Sequence, residues 1–466
     1  MRIAVVGGGI LGLTLSYRLS SLGHQVHIYE SAPRLGGLAC SEDYGDFVWD
    51  RFYHCILPQD QNLLGLLRDL GLENELRWAT TGTGYYAKGR FYSMSSNADF
   101  LRFPLLSLLD KTRFALSVLY ATRVADPHKL YGITAVNWLK KICGKRTYEV
   151  FWRPLLKAKL GTHYDQVAAV FIWASLKRLF GARSGTANKE KLGYVSGGYH
   201  TILAHFVTAL EERGVTIHLG APVQKVAVVG SENPACRQCE MTFSETGSDE
   251  RTSRFDQVFF TAPTRLARKV ASPELRDHVD RMERDYPTSE SYLGIACLVL
   301  ALKSPLTPYY CLNIGEETVE LTGLIEMTNL IDRNVETAGK SLVYLPKYVD
   351  SEDAVISETE DQLCEQLIGH GLKRLFPDFS DGEIVRRSVH RARFVQPLPM
   401  LSDADRDSRS LPSIERPFQC LGTFMLRCAT LNNNEVVGLV DEFLTQNKDQ
   451  LQKQSGVSCR PSAVSE

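Results

Sequence analysis

The sequence predicts an α/β fold with two domains, and three observations indicate it. The chain has 466 residues, which is more than one compact hydrophobic core usually organises. Near its start, short apolar runs alternate with a helical pattern, an order typical of a sheet with helices on its faces. In the second half, Tyr292–Leu302 is predicted to be a strand, and residues 309–313, 324–329 and 342–348 alternate apolar and polar residues, as strands with one face on a core do. We therefore expect one α/β domain and one α+β domain.

The first thirty residues contain a pattern that binds dinucleotides. Ile3–Val6 is an apolar strand, Gly7–Gly12 has the spacing G-x-G-x-x-G, and Leu13–Leu22 has one apolar helical face. A second strand, Val26–Tyr29, ends at Glu30. A glycine motif within strand, helix, strand and terminal acid predicts a Rossmann-type domain whose helix N-terminus receives a pyrophosphate.

Each residue of this pattern has a physical purpose. Gly7 permits the tight turn, Gly9 leaves room for the pyrophosphate, and Gly12 lets the helix pack closely on the strand. Glu30 is placed to bind ribose hydroxyls, and its charge disfavours a 2′-phosphate.

Residues 30–39, with the sequence ESAPRLGGLA, extend the motif. The run resembles the FAD fingerprint of the superfamily of amine oxidases, protoporphyrinogen oxidases and phytoene desaturases. A second block, YVSGGYHTIL at residues 194–203, resembles another segment of this superfamily, as does the strand Arg254–Ala262. The resemblance implies that FAD is the cofactor. It assigns cofactor binding to Gly7, Gly9, Ile10, Leu11, Gly12, Glu30, Ser31, Arg34, Gly36, Gly37, Leu38, Val223, Thr261, Gly422, Asn434, Glu435 and Val436.

The C-terminal part departs from the superfamily pattern. Phe418–Gly422 supplies the expected strand and glycine, but residues 430–437, TLNNNEVV, replace the usual Gly-Ala run before a helix predicted over Val436–Leu444. This replacement looks somewhat like UDP-galactopyranose mutases, which share the FAD fold. The sequence has no counterpart of the cysteine that holds flavin in covalent monoamine oxidases, so we expect the FAD to be noncovalent.

The resemblance also implies a discontinuous, GR2-like Rossmann-type domain. We assign residues 1–95, 195–265 and 415–446 to the FAD-binding domain, and residues 96–194 and 266–414 to an α+β substrate domain. Residues 447–466 are polar, and we expect a flexible tail there.

Candidate catalytic and substrate residues follow predicted strands. The resemblance implies that the Asp50–His54 run lies along the flavin edge, and the imidazole of His54 is suited to move protons there because it exchanges them near neutral pH. Several other polar side chains on predicted strands face the cavity in one of the two possible registers. The catalytic candidates are Tyr53, His54 and Tyr344, and the substrate candidates are Glu326, Asn329, Lys347 and Arg393.

Composition limits the possible partners. A net charge of −1 gives no electrostatic basis for nucleic-acid binding. Eleven scattered cysteines do not resemble a disulfide framework or a metal site, and the chain starts within a strand, so we expect a cytoplasmic protein without a signal peptide or metal. Residues 96–194 are helical in pattern, and residues 100–191 are basic and aromatic. This composition suits peripheral contact with an anionic membrane, binding of a phosphorylated or carboxylated substrate, or a solvated helical surface.

Three functions fit these patterns. The favoured one is an FAD-dependent oxidoreductase that oxidises a small organic substrate by hydride transfer to flavin, similar to protoporphyrinogen oxidases, amine oxidases and desaturases. The first alternative is a redox-neutral, flavin-dependent nucleotide-sugar mutase. The second is a noncatalytic flavoprotein that binds a partner. The substrate, the electron acceptor and the oligomeric state stay open.

Overall fold

The apolar runs of the N-terminal pattern form the centre of a parallel sheet. The computed structural model describes residues 1–181, 183–184, 189–230, 237–245, 249–286, 291–401 and 411–452. The strands are β1 (Arg2–Val6), β2 (Gln25–Tyr29), β3 (Ser41–Asp43), β4 (Val48–Asp50), β5 (Leu76–Thr81), β6 (Thr83–Ala87), β7 (Arg90–Ser93), β8 (Arg183–Ser184), β9 (Lys189–Val195), β10 (Thr216–His218), β11 (Val223–Gly230), β12 (Arg237–Ser244), β13 (Glu250–Phe255), β14 (Gln257–Phe260), β15 (Tyr292–Leu302), β16 (Cys311–Ile314), β17 (Gly323–Glu326), β18 (Ser341–Asp350), β19 (Ile384–Pro397) and β20 (Phe418–Cys420).

Helices connect and cover these strands. They are α1 (Ile10–Ser21), α2 (Gln61–Asp69), α3 (Asn97–Arg102), α4 (Leu108–Arg123), α5 (Ala135–Cys143), α6 (Lys145–Thr147), α7 (Arg153–Leu160), α8 (Ala169–Gly181), α9 (Gly198–Glu212), α10 (Thr264–Val270), α11 (Pro273–Asp285), α12 (Arg333–Glu336), α13 (Glu360–Cys364), α14 (Lys373–Leu375), α15 (Asn433–Gln446) and α16 (Lys448–Gln452). None of the helices in the described ranges combines the length and the hydropathy needed to cross a bilayer.

The parallel sheet has five strands in the order β10-β2-β1-β14-β20. Its central strands β1 and β14 are apolar after their first residues, Arg2 and Gln257, because they are covered on both faces. Helices α1, α9 and α15 pack against one another in the same core, and the antiparallel strands β11, β12 and β13 form a separate small sheet.

The larger sheet has seven strands in the order β19-β15-β18-β17-β16-β6-β7. All eleven residues of β15 are buried, because the two faces of the sheet contribute to different cores. Leu298 and Leu300 belong to a core shared with the helical segment 365–372, whereas Cys297 and Val299 belong to a core shared with residues 44–57. Strands β6 and β7 join this sheet although they lie within the segment 1–95.

A layer of helices from the inserted segment 96–194 lies beside the larger sheet. Helices α5, α7 and α8 share one core, and α7 contacts both β16 and β18. The helical character predicted for this segment therefore agrees with the fold, in which α7 packs against the larger sheet.

Three local differences from the expected elements have clear causes. The predicted strand 324–329 ends at Glu326, because a 3₁₀ turn follows over Met327–Asn329. The predicted strand 254–262 divides at Asp256, whose carboxylate accepts a hydrogen bond from the Arg2 amide at 2.8 Å. The tail expected from residue 447 begins instead with α16, and Asn447 is buried; residues 453–466 lie outside the described part.

Candidate functional site

The glycine turn between β1 and α1 has the shape that a phosphate-binding loop requires. Gly7 has a φ of +114°, and a Cβ there would lie 2.5 Å from Oγ1 of Thr261. A Cβ at Gly12 would lie 2.0 Å from the Gly7 carbonyl oxygen. By contrast, a Cβ at Gly9 would have no heavy atom within 4 Å. The two tight positions close the turn, and the open position leaves the loop surface free for a ligand.

The start of α1 is free of a side-chain cap. Its N-cap residue is Gly9, and no side chain accepts a hydrogen bond from the first turn, so the first amide groups are available to an anion. The loop at Gly36 and Gly37 lies beside it, since the Gly36 amide donates to the Gly8 carbonyl at 2.8 Å. An orphaned helix N-terminus next to an open glycine fits the pyrophosphate of a dinucleotide.

Glu30 lies at the same edge of the sheet. Its carboxylate accepts hydrogen bonds from the Gly8 amide at 2.7 Å and the Ala32 amide at 2.8 Å. Among the other predicted cofactor residues, Ser31 and Arg34 are exposed nearby. Glu30, Ser31 and Arg34 thus lie beside the glycine loop.

The remaining predicted cofactor residues have varied surroundings. Thr261 holds the turn itself, because its Oγ1 donates to the Val6 carbonyl at 2.9 Å. Ile10 and Leu11 are buried in the core under the loop. Leu38 and Val223 are half-buried, and Gly422 is buried at the N-cap of a 3₁₀ turn.

The first turn of α15 has a different arrangement from the one predicted. Asn432 caps the helix through its Oδ1, which accepts from the Glu435 amide at 3.0 Å. Oδ1 of Asn434 accepts from the amides of Asn62 and Leu63 at 2.9 and 3.2 Å, so this side chain caps α2. Val436 is buried in the core. We therefore assign structural roles to Asn434 and Val436, and we retain the N-terminus of α15 as a candidate contact for the cofactor.

Four polar side chains meet where α9, α15 and the end of β4 come together. Oδ1 of Asp50 accepts from the Tyr199 amide at 2.8 Å, and its Oδ2 lies 3.4 Å from Nδ1 of His54. The rings of His54 and Tyr199 have their centres 4.5 Å apart. Nδ2 of Asn433 donates to the Tyr199 hydroxyl at 2.5 Å. His54 is thus held between a buried carboxylate and an aromatic ring.

A small pocket, with room for about one water molecule, opens beside this cluster. Trp49, Asp50, His54, Tyr199 and Met327 are among the residues that line it. Trp49 Nε1 and His54 Nδ1 are buried there without a hydrogen-bond partner in the described residues. Unsatisfied buried donors of this kind are costly unless a ligand or water completes them. A water molecule or a polar ligand atom in this pocket would satisfy them.

Tyr53 and Tyr344 are linked to this cluster differently. The Tyr53 hydroxyl lies 2.7 Å from that of Tyr348, and burial raises the pKa of Tyr53 well above its ordinary value. The Tyr344 hydroxyl donates to the Asp50 carbonyl at 2.5 Å, and burial also raises its pKa. Because its proton is committed to a backbone bond, Tyr344 supports the fold around Asp50 and remains unsuited to proton exchange.

The four predicted substrate residues are engaged elsewhere. The Glu326 carboxylate is fully buried and accepts from the amides of Leu306 and Thr307 and from the Ser341 hydroxyl. Asn329 donates to two backbone carbonyls at 2.8 and 2.9 Å. These contacts fix the chain around β17, so they give both side chains a structural role.

Lys347 and Arg393 also have protein partners. Lys347 Nζ donates to Gln366 Oε1 at 2.7 Å, on the opposite face of β18 from Tyr344 and Tyr348. Arg393 is exposed and donates to the Ser351 carbonyl at 3.1 Å. The sequence left the register of β18 open, and this register turns Lys347 away from the face of Tyr344 and Tyr348.

Tyr199 was not among the residues predicted for the site. Gly197 and Gly198 precede it with φ values of +77° and +65°, and a Cβ at Gly198 would lie 2.9 Å from Asp50 Oδ1. The glycine doublet therefore brings the start of α9 onto Asp50. That doublet was the signal in the sequence, although the function of the following tyrosine was not readable from it.

Comparison with known proteins agrees with this geometry. The family model described as flavin containing amine oxidoreductase matches residues 12–412. The chain belongs to this family. The predicted superfamily and the expected class of flavin-dependent oxidoreductase are thereby confirmed, and the family implies a flavin cofactor.

Curated relatives match parts of the chain. A 15-cis-phytoene desaturase of Synechococcus elongatus is 23% identical over 249 residues, which cover 48% of this chain and 50% of the relative. Coproporphyrinogen III oxidase of Bacillus subtilis is 22% identical, over a match that covers 58% of this chain and 61% of the relative. The chain spans about half the length of the first curated relatives it matches.

Solved structures match nearly the whole chain. A putative protoporphyrinogen oxidase from Exiguobacterium sp. has a TM-score of 0.70 at 16% identity and covers 97% of this chain and 99% of its own. A reduced UDP-galactopyranose mutase has a TM-score of 0.67 at 16% identity and covers 97% of each chain. At these identities the likeness shows the fold, which confirms a mixed α/β architecture with parallel and antiparallel sheets.

Proposed function

We propose that this chain oxidises a small organic substrate by hydride transfer to a noncovalently bound FAD. The observation that carries the proposal is the open loop surface at Gly9, next to the uncapped N-terminus of α1 and the carboxylate of Glu30. Together they offer amide donors to a pyrophosphate and a carboxylate to a ribose. The mutase in the same fold group keeps a redox-neutral isomerase as the alternative.

We infer that the five-stranded sheet is the core of a GR2-like Rossmann-type FAD domain. Its strands β1, β2, β10, β14 and β20 all come from residues 1–95, 195–265 and 415–446. The seven-stranded sheet and the helical layer then form the substrate domain, with β6 and β7 added to it from the first segment.

The residues around the pocket have complementary tasks in this proposal. When bound, FAD supplies the hydride acceptor, and the protein holds the substrate and manages the proton. His54 is the group that takes or gives a proton, with Asp50 orienting its ring from 3.4 Å. The N-terminus of α15, with Asn433 on Tyr199, provides positive dipole character beside the pocket.

The test is a visible spectrum of the purified protein followed by anaerobic titration. A flavin band near 450 nm that acid precipitation releases to the supernatant supports noncovalent FAD. Bleaching by a porphyrinogen, an amine or a carotenoid precursor supports the oxidoreductase. Turnover of a UDP-sugar only after dithionite reduction selects the mutase, and a flavin that no substrate reduces selects a noncatalytic partner. Absence of any flavin, also after FAD is added, refutes the proposal.

We further propose that the protein is cytoplasmic and touches anionic membranes through helices α3 and α4. Leu108 and Leu109 are 71% and 78% exposed, and Leu116 is 66% exposed. Arg102 and Arg113 are exposed close to them in the chain. Exposed leucines flanked by arginines suit an interface with acidic headgroups and acyl chains.

Co-sedimentation with vesicles tests the membrane proposal. Binding to phosphatidylglycerol vesicles should exceed binding to phosphatidylcholine vesicles and should fall with salt. Serine at both Leu108 and Leu109 should abolish it, whereas serine at Val335, which is 71% exposed elsewhere, should not. Equal sedimentation of all three proteins would contradict the proposal.

A further inference from the structure

The start of α9 is held by a side chain from a distant part of the chain. The N-cap residue of this helix is Gly197. Oε2 of Glu336 accepts from the Gly197 amide at 2.9 Å, and its Oε1 accepts from the Ser196 hydroxyl at 2.9 Å. Glu336 thus takes the position that the acid of a capping box takes, although it lies on another element. It is 9% exposed, so these two donors replace most of its hydration.

Asp50 holds the same turn from the other side. Its Oδ1 accepts from the Tyr199 amide at 2.8 Å, and a Cβ at Gly198 would lie 2.9 Å from that oxygen. The four residues from Ser196 to Tyr199 therefore lie between two carboxylates. Because Gly197 and Gly198 have positive φ and no side chains, contacts to their backbone decide where this turn lies.

The connection between β17 and β18, residues 327–340, carries the outer of the two carboxylates. Before α12, the Asp332 amide donates to the Tyr194 hydroxyl at 3.3 Å. After α12, the hydroxyl of the fully buried Thr337 donates to the Lys340 carbonyl at 2.6 Å. Helix α12 is therefore fixed on both sides and can hold the turn in one place.

The turn leads directly to His54. The ring of Tyr199 and the Oδ2 of Asp50 are the two groups that contact the imidazole of His54, as described above. A displaced turn would move the Tyr199 ring and remove the amide donor of Asp50. Since Asp50 is 1% exposed, loss of that donor is costly, and its carboxylate would leave the position from which it faces His54.

We propose that Glu336 is a positioning residue, which holds the glycine turn so that Tyr199 and Asp50 keep His54 in one orientation. This inference rests on the proposed function, in which His54 moves the proton. A residue between two strands of the seven-stranded sheet thereby sets the geometry of a site built on β4 and α9. A side chain that only stabilised α9 would leave His54 unaffected, and this difference separates the two roles.

The nuclear magnetic resonance signal of the His54 ring tests this inference without flavin chemistry. In protein with isotope-labelled histidine, the Cε1–H signal of His54 is the one that His54→Gln removes. The Tyr199 ring, 4.5 Å away, displaces this signal through its ring current. Glutamine offers one acceptor oxygen, so Glu336→Gln leaves one donor unpaired and should move the signal towards that of an exposed histidine. An unmoved signal in the folded variant would overturn the inference.

Two further variants separate positioning from a general effect. Ser196→Ala removes one donor and keeps the carboxylate, so it should move the His54 signal in the same direction by a smaller amount. Glu316→Gln is the matched control, because Oε1 of Glu316 accepts from the amide of another glycine, Gly89, at 2.7 Å, at the turn between β6 and β7. It should leave the signal unchanged, and an equal shift in this control would contradict the inference.

Stopped-flow kinetics separate this inference from the proposed function. If both hold, Glu336→Gln should lower the limiting rate of flavin reduction about tenfold at unchanged substrate Kd. The pH profile of this rate should also move to lower pH, because an imidazolium farther from a carboxylate loses its proton more readily. A moved His54 signal with an unchanged rate would keep Glu336 as a positioning residue and refute the proton role of His54. A lower rate with an unmoved signal would keep the proposed function and overturn this inference.

Discussion

Alanine at position 9 should separate cofactor binding from folding. Gly9 has φ −75° and ψ 175°, an extended conformation that alanine adopts readily, and its Cβ would meet no heavy atom within 4 Å. The free energy of unfolding of the apoprotein should therefore change by less than about 0.5 kcal/mol. The new methyl group occupies the space in which the pyrophosphate approaches the loop amides.

The loss of cofactor affinity follows from the hydrogen bonds at stake. Losing one charge-assisted bond of about 1.5–3 kcal/mol raises the Kd for FAD by about ten- to hundredfold. Gly12→Ala should behave differently, since its Cβ would lie 2.0 Å from the Gly7 carbonyl oxygen. That clash should destabilise the apoprotein by about 3 kcal/mol.

Two measurements distinguish these variants. Denaturant unfolding of the apoprotein reports stability, and quenching of flavin fluorescence reports FAD binding. Gly65→Ala is the control, because Gly65 lies within α2 with no atom near its Cβ position; it should gain about 0.5–1 kcal/mol and bind FAD normally. A Gly9→Ala protein with the original Kd for FAD would show that the pyrophosphate lies elsewhere, and the site would have to be reassigned.

The other predictions concern single side chains. In stopped-flow measurements, His54→Gln should slow flavin reduction by the identified substrate by about a hundredfold or more. Tyr344→Phe should leave this rate nearly unchanged and lower the free energy of unfolding by about 1 kcal/mol in unfolding measurements. Glu326→Gln should destabilise the fold by about 1–3 kcal/mol, because an amide cannot accept from all three donors, and it should leave the substrate Kd unchanged. A variant with full stability but altered substrate binding would show instead that Glu326 is a substrate ligand. Asn434→Ala should lower the unfolding free energy by about 1 kcal/mol through the lost cap of α2, and unchanged stability would contradict that role. Burial lowers the pKa of His27 from 6.5 to about 4, so the unfolded chain takes up a proton that the folded protein refuses. The unfolding free energy should therefore fall as pH decreases from 6.5 towards 4, and His27→Gln should flatten that slope in urea titrations.

Local patterns predicted the start of the parallel sheet and the longest strand of the larger sheet well. The run Ile3–Val6, the glycine spacing and the terminal Glu30 need only neighbouring residues to define strand, turn and helix. The eleven-residue strand Tyr292–Leu302 was equally clear, because burial on both faces makes the whole run apolar.

The same reasoning failed where a side chain's surroundings depend on residues distant in sequence. Which face Lys347 takes depends on the pairing of β18, and a shift of one residue would have turned it to the side of Tyr348. Glu326 and Asn434 are polar residues whose partners, Ser341 and Asn62, are distant in sequence.

The order of the parallel sheet also governs when the cofactor site exists. Strand β1 pairs with β14, and β14 pairs with β20, so neighbours in space are separated by more than 150 residues in the chain. A nascent chain that has emerged only to residue 250 therefore has the glycine turn but lacks Thr261, which holds it closed. Such distant pairings form slowly, and the apolar strands stay exposed to solvent until their partners have paired. Flavin capture accordingly follows translation of the C-terminal segment, and chaperones that shield β1 and β2 from aggregation should raise the yield of loaded protein.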